Sequence, residues 1–402
     1  MPGTLSRSPG TLSALHALSA EFTALRRDIH RHPELGYQEF RTSELVAQRL
    51  ASWGYRVTRG LGGTGVVGQL VRGQGAKRLG LRADMDALPI QEATGLPHAS
   101  SHAGLMHACG HDGHTAMLLA AAKHLAEHGQ FDGTLNLIFQ PAEEGLGGAK
   151  KMMEDGLFGQ FPCDAIFAMH NMPGFPRGQL LLREGATMAS SENITITLQG
   201  QGGHGAMPHV AIDPVVAGAA IVMGLQTIVA RNVPPLHMAV ITVGAFQAGE
   251  ANNVIPQTAT LKLSVRSLDR EVRQLLNRRI RELVESQAHS YGVRADIDFR
   301  GGYPVLVNTP AETEFARQIG RELVGSDHIT EQAEPLTGSE DFAFMLEDIP
   351  GSYLLIGNGD AATGGHGACM VHNPNYDFED SNIAVGSAYW VRLAERFLDG
   401  TS

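Results

Sequence analysis

The sequence predicts an α/β protein: a larger domain of helices layered on a sheet, interrupted by a smaller ferredoxin-like α+β unit. Three observations carry this expectation. Short apolar strands alternate with helical segments through the first half of the chain. After about Glu184 the order becomes β-α-β-β-α-β, the pattern of a ferredoxin-like unit. Alternation then resumes near Thr309, which marks the middle as an insertion. The expected boundaries are 1–186 with 300–402 for the larger domain and 187–299 for the inserted one. A chain of 402 residues can bury two cores.

The elements follow in order. Helical spacing of apolar residues predicts helices over Leu12–His30 and Phe40–Trp53, and apolar runs predict strands over Val66–Val71 and Arg78–Arg82. A helix opened by glycine is expected over Gly113–His128, then strands over Thr134–Phe139 and Ala165–Met169. In the inserted unit, Asn193–Leu198 alternates strictly, as a half-buried strand does. A helix over Pro214–Ala230, strands over His237–Ala245 and Thr258–Arg266, a charged helix over Arg270–Ser290 and a strand over Arg294–Phe299 complete it. The last expected element is a helix over Ile383–Phe397.

Composition narrows the classes. Hydrophobic residues make up 43% and charged residues 18%, ordinary for a globular protein, and the net charge is −11. That charge argues against a broad surface for nucleic acid or anionic membrane. No run of about 18 apolar residues stands out, so no membrane span is expected. The three cysteines, Cys109, Cys163 and Cys369, form no disulfide framework and fit a reducing compartment. Met1–Ala20 holds only Arg7 as a basic residue and has no solid apolar core. It reads as a tail leading into a helix and not as a signal peptide, so a cytoplasmic location is the default.

The densest chemistry lies at Met106-His-Ala-Cys-Gly-His-Asp-Gly-His114. Imidazole, thiol and carboxylate together are the ligands a borderline-soft divalent ion prefers. Further candidates stand where apolar strands end: Asp84 and Asp86, Glu143-Glu144, His170, and, far downstream, His372. Open α/β sheets leave a crevice at strand C-termini, where such groups can converge. Cys109 and His111 could approach a metal pair from one loop, with the thiolate shared. Adjacent carboxylates divide the labour hydrolysis needs: one binds metal while its neighbour holds the attacking water. Asp84 and Asp86 could be ligands or could orient histidines from outside the coordination sphere, the second being favoured. Spacing leaves His102, His107 and His114 open.

These segments together resemble the amidohydrolase branch of the aminoacylase/carboxypeptidase superfamily of two-metal peptidases. The resemblance runs through Arg27-Asp-Ile-His-Arg-His-Pro-Glu-Leu35, Arg82-Ala-Asp-Met-Asp-Ala-Leu-Pro89, Met106–Asp112 and Gln140-Pro-Ala-Glu-Glu144. It continues through Gly202–His209, Asn253-Val-Ile-Pro256, Gly338–Phe342 and His372–Phe378. It implies a zinc-peptidase-type catalytic domain carrying an inserted lid and dimerisation domain. It also implies two divalent ions per chain, zinc or manganese first and cobalt or nickel admissible, held by Cys109, His111, Glu144, His170 and His372. Cys109 takes the bridging place, Glu143 matches the general base, and Asp86 the acid that steadies the metal site. In the lid, His204 matches the histidine that stabilises the oxyanion from a partner subunit. Asn253 and Arg266 match residues near the substrate carboxylate, which the planar guanidinium suits. His209, His30 and His32 are expected to be structural. The implied reaction is cleavage of an N-acyl amino acid to a carboxylic acid and a free amino acid by a homodimer or higher homo-oligomer. A dipeptidase or carboxypeptidase activity is the alternative.

Overall fold

Four parallel strands, Gly133–Gln140, Arg78–Asp84, Ala165–Pro173 and Gly351–Gly359, run side by side through the larger of two units. Their apolar runs are almost wholly buried, from Leu135 to Phe139 and from Ala165 to Met169. Both faces of these strands are therefore covered, which explains near-continuous apolar sequence in place of alternation. Antiparallel strands Gly65–Arg72 and Arg56–Leu61 extend one edge of the eight-stranded sheet. Short strands Leu180–Leu181 and Ile329–Thr330 extend the other. The coordinates are a computed structural model that describes residues 8–362 and 364–399. Of the tail expected at Met1–Ala20, residues 1–7 lie outside the described residues and the rest belongs to helix Ser8–Arg31.

Helices Ser8–Arg31, His111–His128 and Asn382–Leu398 pack on one another around one core that includes Phe22, Ile29, Leu118, Leu125, Tyr389 and Trp390. A buried ion network stitches the first of them to the C-terminal segment. Arg26 reaches Asp377 and Asp380, each at 2.8 Å, and the Phe378 carbonyl at 3.0 Å. His30 Nδ1 bonds Asp112 at 2.8 Å.

The smaller unit has the expected β-α-β-β-α-β order. Its antiparallel strands lie in the order Ala239–Ala248, Thr258–Ser267, Ser190–Gln199, Arg294–Arg300. Ile194, Ile196, Leu198, Leu261 and Leu263 point to the same core as Ile221, Leu225, Leu276 and Ile280 from helices Pro214–Asn232 and Arg270–Ser290. Both helices open on an aspartate N-cap, Asp213 accepting from Val215 N at 2.8 Å and Asp269 from Val272 N at 2.9 Å.

Three details depart from the sequence reading. The units meet elsewhere than at 186/187 and 299/300: the smaller takes Ala186–Leu306 and also Pro335–Ala343. The cause is hydrogen bonding, since Ser191 N donates to Tyr303 O at 3.0 Å and Ala189 N reaches Leu336 O and Gly338 O. Secondly, Pro214–Asn232 is long and apolar enough, by length and composition, to cross a membrane. Its glycines and polar residues break any apolar run, yet its mean hydropathy is high. Its Ala217, Ile221, Leu225 and Ile228 are buried in the unit's own core. Thirdly, the helix expected from Gly113 begins at His111, because Gly110 caps it in the left-handed region (φ 89°).

A Cβ at Gly110 would overlap the Asn171 amide and the Tyr376 hydroxyl. Gly110→Ala therefore combines left-handed strain with overpacking and is expected to cost about 3 kcal/mol. Gly95→Ala, at φ 67° with open space around it, isolates the strain and should cost only about 1 kcal/mol. Denaturant midpoints of the two variants check the difference.

Candidate metal centre

Parallel strands deliver their C-terminal residues to one edge of the sheet. Asp84 ends one strand, Gln140 ends its neighbour just before Glu143-Glu144, and His170-Asn171 stand near the end of a third. His111 lies in the first turn of its helix, directly after the Cys109-Gly110 turn. His372 comes from the far C-terminal segment in a left-handed conformation (φ 66°), and its backbone N–H donates to Ala108 O at 2.7 Å. That bond ties residue 372 to the cysteine loop.

The side chains converge in overlapping triads. Ligand atoms lie within 4.8 Å of one another in Cys109/His111/His170, in Cys109/Glu144/His372 and in His111/Glu143/Glu144. Cys109 Sγ is 3.3 Å from His170 Nε2, and His372 Nε2 is 3.2 Å from Glu144 Oε1. Cys109, His111, Glu144, His170 and His372 thus come together, with Glu143 beside them. Cys109, His111 and Glu144 each belong to more than one of these groups.

Outer hydrogen bonds fix which nitrogen faces inward. His111 Nδ1 donates to Asp86 Oδ1 at 3.0 Å, leaving Nε2 buried without a hydrogen bond, 3.8 Å from Asp84 Oδ2. His170 Nδ1 donates to Asn171 O at 2.5 Å, so its bare Nε2 is the atom beside Cys109. Asp86 Oδ2 also accepts the Glu144 backbone N–H at 2.9 Å. Asp86 is thus an orienting group for two of the convergent side chains.

The open histidines separate on the same grounds. His114 forms a close triad with Asp84 and His111. Both its nitrogens are nevertheless engaged: Nδ1 donates to Asp84 at 2.6 Å and Nε2 accepts from Asn171 N at 3.0 Å. It has no lone pair left for an ion. Asp84 is likewise engaged by Arg82 at 2.6 Å. His102 is exposed. His107 is buried with both nitrogens unpartnered, and belongs to none of the triads. Sequence reasoning missed Asn171 and Tyr376. The Asn171 amide donates to Cys109 O at 2.6 Å, and Tyr376 Oη donates to Asn171 Oδ1 at 2.7 Å. An asparagine closing an otherwise apolar buried strand was the available signal.

The protein charges alone leave this pocket short of cations. Burial, then Glu144, Glu143 and Asp84, push the Cys109 thiol well above its ordinary range. Burial disfavours the charged His111 ring, yet Asp84 and Asp86 outweigh it and push the ring up to about 10. Burial holds His170 well below its usual value, so it stands neutral. A divalent ion reverses the cysteine's preference and draws the proton from His111. The buried His111 Nε2 with no hydrogen-bond partner, the soft sulfur and the clustered carboxylates fit a pair of such ions.

In the smaller unit, His204 is exposed on strand Gly203–His204, opposite Val254, and its Nδ1 accepts from Ala206 N at 3.1 Å. The Asn253 carbonyl accepts from Gly205 N at 2.8 Å, so these two sequence-selected residues are neighbours. Arg266 is half-buried on strand Thr258–Ser267, and its Nη1 is buried without a partner. Burial lowers its pKa.

A parallel sheet that gathers a thiol, three imidazoles and carboxylates at one edge defines a metal-dependent hydrolase. The chain belongs to the peptidase family M20/M25/M40, whose family model matches residues 80–396. It is 45% identical over 381 residues to a hippurate hydrolase of Campylobacter jejuni, covering 95% of this chain and 97% of that one. It is 37% identical to an N-acetyl-L-cysteine deacetylase of Bacillus subtilis, covering 96% and 90%. Among solved structures, the YXEP protein of Bacillus subtilis, a dinuclear metal binding peptidase of the M20 family, superposes with a TM-score of 0.80 at 34% identity, covering 95% of this chain and 99% of that one. The chain is a metal-dependent amidohydrolase.

Two outcomes follow from the geometry. Asp86→Ala frees both His111 and the Glu144 backbone, and should weaken metal binding about 10- to 100-fold by calorimetric titration. Because the metal-free protein holds protons on Cys109 and His111, metal uptake at pH 7 should release protons. Titrations in buffers of different ionisation enthalpy measure that release, and affinity should rise with pH.

Proposed function

We propose that this chain hydrolyses N-acyl amino acids, including acetyl and aryl-acyl conjugates, to a carboxylic acid and a free amino acid. The relatives support the substrate class, being a hippurate hydrolase and an N-acetyl-L-cysteine deacetylase. The observation that carries the mechanism is the convergence of five donors from four segments, with the buried Glu143 beside them.

In this reading Cys109, His111, Glu144, His170 and His372 would hold two divalent ions, zinc or manganese before cobalt or nickel. Bound there, the ions supply Lewis acidity to the amide oxygen and to the attacking water. Glu143 accepts the proton of that water and passes it to the leaving nitrogen. Asp86 keeps the His111 lone pair and the Glu144 backbone in register. His204 donates a hydrogen bond to the developing oxyanion, from a partner subunit of a homodimer. Arg266, whose Nη1 lacks a protein partner, binds the substrate carboxylate; Asn253, beside Gly205 and toward the other end of the same unit's sheet, is the second residue assigned to the substrate. The three free cysteines support a cytoplasmic location.

Glu143→Ala tests the central assignment. It should keep two metals per chain while kcat on N-benzoylglycine falls by about three orders of magnitude or more. Unimpaired turnover in that variant would sink the mechanism. A parallel screen against dipeptides should show much lower kcat/KM than for N-acyl amino acids.

A further inference from the structure

Glu39 is among the buried carboxylates that the catalytic reading leaves unused. Glu39 is fully buried and opens helix Phe40–Ser52. Its Oε1 accepts the backbone N–H of Ala142 at 2.8 Å, and its Oε2 accepts from Thr64 Oγ1 at 2.5 Å. Ala142 is itself buried, sits in the left-handed region (φ 54°) and immediately precedes Glu143. A non-glycine residue there is strained, and its buried N–H is costly unless bonded. The same N-terminal segment holds the turn from other sides. Gly36 lies so close that a Cβ would come within 3.0 Å of Ala142 Cα and 2.7 Å of Leu146 Cδ1. Tyr37 Oη donates to Leu146 O at 3.1 Å, and Ala87 N, next to Asp86, donates to Glu34 O at 2.8 Å.

We propose that Glu39 is a positioning residue for the base: through the Ala142 N–H it locks the strained turn that aims Glu143. The proposal rests on Glu143 acting as the base. Glu39 touches no reacting atom, and acts only by fixing the backbone from which Glu143 projects. A misplacement of about 1 Å costs on the order of a hundredfold in rate. Burial pushes the Glu39 carboxyl up to about 7, so the pocket accommodates an uncharged group of the same shape. A glutamine can accept from Ala142 with its oxygen and donate to Thr64 with its nitrogen.

The test uses the full chain reconstituted with Mn²⁺ and N-benzoylglycine as substrate. Glu39→Ala should lower kcat about 10- to 100-fold with KM within about twofold, and Glu39→Gln should recover most of it. Amide hydrogen exchange of residue 142 should quicken about tenfold or more in the alanine variant and stay protected in the glutamine one. Should Glu39→Ala fail to fold, Glu39→Asp keeps the charge but falls one methylene short of Ala142, and should show the same kcat loss. In a Glu143→Ala background, removing Glu39 should change the residual rate less than about threefold, since the group it positions is gone. Equal fold-losses in both backgrounds, or full kcat in Glu39→Ala or Glu39→Asp, overturn the proposal. Full activity of Glu143→Ala alone overturns the base assignment instead.

Discussion

One carboxylate couples two independent pieces of the centre. Asp86 accepts from His111 Nδ1 with one oxygen and from the Glu144 backbone with the other. The first bond decides the tautomer of a ring at a helix start. The second fixes the turn after a neighbouring strand. The His111 lone pair and the Glu144 backbone depend on that double attachment, because a histidine with the wrong nitrogen protonated offers no lone pair. The surroundings apply the same logic repeatedly. The Asn171 carbonyl sets His170, and Asp84 with Asn171 occupies both sides of His114. Identical imidazoles become donor or scaffold according to what the second nitrogen meets.

The electrostatics are the other face of this arrangement. Four carboxylates, Asp84, Asp86, Glu143 and Glu144, crowd a thiol and three imidazoles where parallel strands end. Arg82 neutralises Asp84 from within the sheet. The other carboxylates are buried or half-buried, with His111 beside Asp86 and His372 beside Glu144 as their histidine partners. A protein that folded to this shape without cations would have to retain protons on sulfur and on His111. The centre is therefore a place where folding, proton binding and metal binding draw on the same groups.

Much of this was legible in the sequence, and the reason is physical. Strands buried on both faces announce themselves as apolar runs, so the ends of Arg78–Asp84, Gly133–Gln140 and Ala165–Pro173 could be approximated and the donors placed at them. The β-α-β-β-α-β order could be read because its alternation and its aspartate caps are local signals. Hydrogen bonds between distant segments were not legible. Nothing near His114 in the chain says that Asn171 occupies its free nitrogen. Nothing near Glu39 says that it meets Ala142. The unit boundary shifted for the same reason, since Tyr303 and Leu336 join the smaller unit through backbone bonds to Ser191 and Ala189. The strand Gly351–Gly359 matched none of the expected elements, although its Tyr353-Leu-Leu-Ile356 run between glycines carries the same buried-strand signature.

The order in which the donors occur along the chain has a consequence for biosynthesis. Cys109, His111 and His170 come early in the order of synthesis, whereas the Cys109/Glu144/His372 triad closes only with a residue far downstream. On the ribosome, one half of the nest exists as a set of residues long before the other. Maturation is thus intrinsically staged: a partly emerged chain holds an unfinished thiol-bearing pocket until the segment bearing His372 has been made.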